Sequence, residues 1–208
     1  MSAVELVAGI VTSLAAELRA ADYKKSGTMF YRRFDRGLRL LGFQRSRWSS
    51  AAEAQFTINL CVYYPALIAL DTDEPRLPLP TWPPAKHRMP TLAERNASPS
   101  TRIGQVMLER RDHWWSVTDG SDPSPVHDAV VGAIHELGIP WLDHASDLAW
   151  LASYYRGFSL RAAARCYVLL GDLAAARDAL LAWTREDYVT PEATERALRW
   201  GRIVGVDV

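Results

Sequence analysis

Apolar residues at Val4, Val7, Val11, Leu14 and Leu18 recur at three- and four-residue steps. That spacing predicts a helix over residues 4–20 with one buried stripe. Lys24-Lys25-Ser26-Gly27 interrupts it, with glycine able to supply the left-handed residue of a turn. The period then changes to two. Residues 28–34 are rich in aromatics, Asp35-Arg36-Gly37 reads as a hairpin connection, and residues 38–45 read as a second strand. A turn at residues 48–51 leads to the strongest strand pattern, over residues 53–64. There Phe56, Ile58, Leu60, Val62 and Tyr64 alternate with Gln55, Thr57, Asn59, Cys61 and Tyr63.

Residues 71–100 carry seven prolines. Proline lacks the ladder N–H and fixes φ, so this stretch is neither helix interior nor central strand. It reads as a long loop, either a tolerated surface insertion or a lid. Order resumes at Arg102-Ile103-Gly104-Gln105, and residues 112–117 read as a fourth strand at the edge or end of the sheet. Beyond the turn cluster at residues 119–123 the pattern is helical. Ser124-Pro125 opens a helix that Gly138 is expected to end, and Pro140 starts the next. Residues 160–170 and 173–183 form two more, split by Gly171-Asp172, and Thr190-Pro191 opens the last.

Strands followed by helices point to an α+β fold: an N-terminal helix, an antiparallel sheet of about four strands, and a helical C-terminal part packed on it. The expected organisation is an α+β domain over residues 1–120, with the proline-rich insertion at 71–100, and a helical extension over 121–208. No linker separates the two parts, so one compact unit is expected.

Composition narrows the class. With 208 residues, 49% apolar and 23% charged, the chain is an ordinary globular one that needs no metal or disulfide to fold. Lys+Arg 24 balances Asp+Glu 24, which gives no global field for nucleic acid or an anionic membrane. Cys61 and Cys166 sit in apolar stretches and read as buried free thiols. The N-terminal stretch has no basic n-region, and no run is apolar enough to span a membrane. The expected location is the cytoplasm. Three lysines against 21 arginines, with abundant alanine, point to a GC-rich bacterial source.

Known chemical motifs are sparse. His127 and His135 are eight residues apart on one predicted helix, roughly 12 Å by helical rise, too far to share a zinc ion. His135, Glu136, Asp143 and His144 fall around the Gly138–Pro140 break without metal-ligand spacing. No nucleophile elbow or phosphate-binding glycine loop is present. No metal, no cofactor and no catalytic residue is therefore expected. Residues 1–48 carry nine Lys/Arg against four acids, interleaved with Phe30, Tyr31, Phe34, Phe43 and Trp48. Such strands can bind single-stranded nucleic acid if their arginines share a face. The candidate binding residues are polar and groove-like: Gln44, Arg47 and Trp48 at the end of strand two, Asn59 in strand three, and Arg102, Asp112 and Trp114 beside the long loop. An amide, a guanidinium and an indole on one face suit a peptide or a small polar ligand. The competing expectation is structural, with Arg102 paired to Asp112, Gln44 and Asn59 tying down loop backbone, and the tryptophans in the core.

Five pieces in order carry a family resemblance: GTMFYRRF at 27–34, FQRSRW at 43–48, FTINL at 56–60, Arg102-Ile103-Gly104, and DHWW at 112–115. Together they resemble the bacterial domain-of-unknown-function family 4304 over about residues 20–118. The family typically has glycine where this chain has Cys61, and the proline-rich insertion is longer than usual. The resemblance implies an α/β domain and no particular activity. A second likeness, residues 160–184, resembles a tetratricopeptide hairpin and is expected to be a helical hairpin on the domain rather than a repeat array.

These readings favour a non-catalytic protein-interaction module, of immunity or adaptor type, with a protein partner, no nucleic acid and no membrane. The first alternative is a small-molecule-binding protein or enzyme with a polar site around Gln44, Arg47, Asn59 and Arg102. The second is nucleic-acid binding through the basic strands of residues 32–47.

Overall fold

The computed structural model describes residues 1–83 and 88–208. Along the chain it places α1 (Ala3–Ala20), β1 (Lys24–Ser26), β2 (Met29–Phe34), β3 (Gly37–Arg45) and β4 (Glu53–Tyr63). Then come α2 (Pro65–Ala69), α3 (Leu92–Asn96), β5 (Ser100–Arg102), α4 (Ile103–Val106) and β6 (Trp115–Thr118). The helical half holds α5 (Ser124–Ala133), a π turn (Ile134–Gly138), α6 (Ile139–Ala145), α7 (Leu148–Arg156), α8 (Leu160–Leu170), α9 (Leu173–Trp183) and α10 (Pro191–Ile203). The class is α+β. No helix among the described residues is long and apolar enough to cross a membrane.

Backbone contacts divide the chain into two compact units. The first holds residues 1–34, 38–63 and 99–143; the second holds 35–37, 64–98 and 144–208. These divisions differ from the expected boundary at residue 120. The helical residues 121–143 group with the sheet, and the proline-rich residues through Ser98 group with the C-terminal helices.

In the first unit the sheet has six strands in the order β1-β2-β3-β4-β5, with β6 also on β4. The two strands beyond the expected four are β1 and β5, three residues each. Lys24–Ser26, expected only to break a helix, pairs antiparallel with β2. β6 begins at Trp115 rather than at residue 112, because Asp112 and Trp114 turn toward Arg102 instead. The register runs Gly42↔Asn59 and Gln44↔Thr57 between β3 and β4, Asn59↔Arg102 between β4 and β5, and Phe56↔Trp115 between β4 and β6. β5 and β6 thus lie end to end on one edge of β4, and residues 103–114 leave that edge and return to it.

Alternation gives the sheet two faces. One carries a row of rings: Phe30 meets Phe43 at 5.8 Å, Phe43 meets Phe56 at 6.3 Å, and Phe56 stacks on Trp115 at 5.7 Å. The helix α1 buries Val7, Val11, Leu14 and Leu18 of its expected stripe, leaves Val4 half-buried, and lies against β4 and β6. Its N-terminus closes with a capping box, in which Ser2 accepts from the Glu5 N–H and Glu5 accepts from the Ser2 N–H.

The helix expected to end at Gly138 does not end there. It widens into the π turn, in which the Ile139 N–H reaches the Ile134 carbonyl, and runs on as α6. Pro140 explains the widening: it has no N–H to donate, and its ring crowds the carbonyl four residues back.

In the second unit α8 and α9 form the expected hairpin, with Gly171 left-handed at φ 78° and Asp172 capping α9. Leu70, Ala164, Ala179, Leu180, Ala197 and Trp200 form its core. The acidic run after α2 is tied to two helices. Asp73 pairs with Arg161 of α8 at 2.6 Å and Arg196 of α10 at 3.4 Å, Asp71 with Arg165, and Glu74 with Arg199 at 2.9 Å.

Candidate functional site

The mixed face of the first unit's sheet carries the polar cluster. Gln44 and Thr57 face each other across β3 and β4, and Asn59 lies two residues further along with Arg102 beside it. Asn59 Nδ2 donates to Gln44 Oε1 at 2.9 Å. Arg102 Nη1 and Trp114 Nε1 both donate to one oxygen, Asp112 Oδ2, at 2.5 and 2.9 Å. The Arg102 guanidinium also lies 5.4 Å from the centre of the Trp114 ring. The Trp114 hydrogen bond and the Arg102 bond and charge hold the Asp112 carboxyl below its ordinary range despite some burial. It is therefore ionised at neutral pH.

Five of the seven candidate residues come together here: Gln44, Asn59, Arg102, Asp112 and Trp114. The other two form a separate pair in the β3–β4 connection. The Arg47 guanidinium lies 4.7 Å from the centre of the Trp48 ring, and Trp48 is 79% exposed. The two adjacent tryptophans divide their work. Trp115 is buried in the ring row, while Trp114 belongs to the other face and to Asp112. Of the structural alternatives, the Arg102–Asp112 pair is present. Gln44 and Asn59 bond to each other rather than to loop backbone.

Two residues of this face escaped the sequence reading. Thr57 is fully buried, and its Oγ1 has no hydrogen-bond partner among the described residues. Met29 lies over Gly42; a Cβ there would sit 2.7 Å from its sulfur. The signal for Thr57 was its place between Gln55 and Asn59 in the alternation.

Gly104 sets the path of the excursion that brings in Asp112 and Trp114. A Cβ on it would lie 2.6 Å from the His113 backbone nitrogen and closer still to the Arg111 carbonyl. Only glycine lets those two backbone stretches touch.

The arginines of residues 32–47 do not share one face. Arg32 and Arg39 both bind Asp143 Oδ1, at 2.6 and 2.9 Å, and strand alternation sends Arg33 to the opposite side from Arg32. Beneath Arg32 lies Tyr23, whose phenol burial pushes up to about 12. Among the described residues no group of three or more His, Cys, Asp or Glu side chains is placed to hold a metal ion. An open groove of about 390 Å³ lies elsewhere in this unit, lined by Leu6, Gly9 and Ile10 of α1 and by Pro123 and His127.

The second unit holds a feature that the sequence reading did not single out. Trp150, Tyr154 and Phe158 follow at four-residue steps along α7 and its end. Trp150 stacks on His144 at 5.7 Å and on Tyr154 at 5.1 Å, and Tyr154 meets Phe158 edge-on at 5.0 Å. Tyr154 is 46% exposed and Phe158 63%. The four-residue spacing is legible in the sequence. Of the other large rings, Trp115 and Trp200 are buried.

The fold and the polar face define an α+β domain whose sheet carries residue pieces in a set order and spacing. The chain belongs to the family described as domain of unknown function DUF4304, whose model matches residues 14–144. That match spans all five motif pieces and the five gathered residues, and it ends before α7. No curated protein and no solved structure matches the chain.

Proposed function

We propose that this protein is a non-catalytic protein-interaction module of adaptor or immunity type. The aromatic ladder of α7 carries this reading. Exposed aromatics supply large contact area at low entropic cost and are enriched at the centres of protein interfaces. Here they are held against one another along α7 and the turn after it, with the exposed Asp147 and Arg156 at the two ends of the helix as a charged rim. The partner is a protein rather than a nucleic acid or a membrane. The place of action is the cytoplasm, a reading supported by two buried free cysteines. The test is affinity capture of the tagged chain from a lysate of its source cells, with and without nuclease. One stoichiometric protein partner that survives nuclease is expected; a partnerless monomer would overturn the reading.

A second reading is favoured by the lock of Arg102 and Trp114 on Asp112: a small-ligand site on the mixed face. Asp112 is held ionised and is a weak base, which supports binding over proton transfer there.

A further inference from the structure

We propose that the mixed face of the sheet is a binding platform for a nucleobase, presented by a free nucleoside or nucleotide. This inference concerns the first unit and does not depend on the aromatic ladder of the second.

Gln44 and Asn59 place two amides side by side on this face. A single hydrogen bond joins them, from Asn59 Nδ2 to Gln44 Oε1. Each therefore keeps one function unused among the described residues: Gln44 Nε2, a donor, and Asn59 Oδ1, an acceptor. Exchanging O and N in both amides reverses the bond and still leaves one donor beside one acceptor. The pair thus presents a donor–acceptor edge however the amides are assigned. Its complement is a group with a donor and an acceptor adjacent on one edge. The N–H and C=O of one extended peptide residue point to the same side and can match it. A nucleobase can as well, because every base carries an adjacent donor and acceptor on its pairing edge.

The surroundings favour a flat ring over a peptide backbone or a primary carboxamide. Arg102, on the same row as Asn59, holds its guanidinium against the indole of Trp114. Asp112 fixes both groups through one oxygen, so the guanidinium and the indole are held before any ligand arrives. Indole and guanidinium planes are the usual partners of an unstacked base. The Met29 sulfur over Gly42 adds an apolar patch beside the amide edge. Thr57, opposite Gln44, leaves a buried hydroxyl without a partner under the same face. One β4 strand with its neighbours thus supplies edge recognition, a stacking group and an apolar patch.

The test is titration of the full chain with adenosine, cytidine, guanosine and uridine, each to its solubility limit. The readout is the Trp114 indole N–H resonance, assigned with Trp114→Phe. The expected result is a saturable shift with at least one nucleoside. It should weaken about tenfold in Gln44→Ala, which removes one hydrogen bond from an exposed position. Arg102→Ala should weaken it as well, and the Tm of Gln44→Ala should stay at the wild-type value. Equal or weaker binding of the same base in a short single strand identifies a free nucleoside as the ligand. Tighter binding that falls with salt identifies single-stranded nucleic acid as the source of the base. Absence of a saturable shift with all the nucleosides and strands, or a shift unchanged in Gln44→Ala, would overturn the proposal.

Discussion

Trp200 Nε1 donates to the backbone carbonyl of Leu70 at 3.1 Å, across 130 residues of chain. Both residues are buried in the core of the second unit, with Trp200 only 2% exposed. The bond fastens α10 to the end of α2 and satisfies a carbonyl that lies out of reach of water. Trp200→Phe keeps most of the packing and strands that carbonyl, so it should cost about 1–3 kcal/mol. Trp200→Ala should cost about 3–5 kcal/mol. Chemical denaturation of the two variants checks both values. A Phe variant as stable as wild type would show that the hydrogen bond contributes nothing.

Gly104 and Gly42 should respond differently to alanine. At Gly104 the added Cβ meets backbone at Arg111 and His113, which cannot move without shifting Asp112. At Gly42 it meets the far end of the flexible Met29 side chain. Gly104→Ala should cost at least about 3 kcal/mol, at or beyond the upper end of ordinary overpacking, and Gly42→Ala about 1 kcal/mol. Thermal unfolding measures the order. Similar losses at the two positions would contradict the account of the 103–114 excursion.

Alkaline pH should destabilise the protein. Burial pushes the Cys166 thiol from 9.0 to about 12 and the Tyr23 phenol from 10.0 to about 12. In the unfolded chain both groups lose their protons near their ordinary values. The folded state therefore binds more protons between about pH 9 and 12, and stability falls as pH rises through that window. Below pH 9 the contribution of both groups is fully present. A Tm series from pH 8 upward should show the fall, and Cys166→Ala should make it shallower. The thiol should also resist alkylation in the folded protein at pH 8 and react on unfolding.

Much of the first unit was legible because its signals are local. Phe56, Ile58 and Leu60 alternate over enough residues to define β4, and the α1 stripe repeats over five turns. β1 and β5 were not legible. Three residues cannot show a period, and Ser100-Thr101-Arg102 has no apolar alternation; the edge of β4 at Asn59–Cys61 recruits it. Gly138 and Pro140 read as a break because each disfavours a regular helix, yet a π turn accommodates both. In the candidate site, residue types told which side chains to consider, and the register brought five of them together. Arg47 and Trp48 stayed apart because the β3–β4 connection carries them beyond the paired residues. The grouping of residues 64–98 with the C-terminal helices depends on contacts such as Asp73 with Arg161, which are far apart in sequence and invisible to local pattern.

The aromatic ladder of α7 is the proposed contact surface for the protein partner. The decisive measurement compares capture from source-cell lysate by the wild-type chain and by the Tyr154→Ser, Phe158→Ser double variant, after nuclease and with Tm measured on both. Both side chains are exposed, so the double variant should keep its Tm within a few degrees of wild type. One stoichiometric protein partner on the wild type and its loss from the variant are expected. Equal capture by the two chains, or no partner on either, would contradict that role.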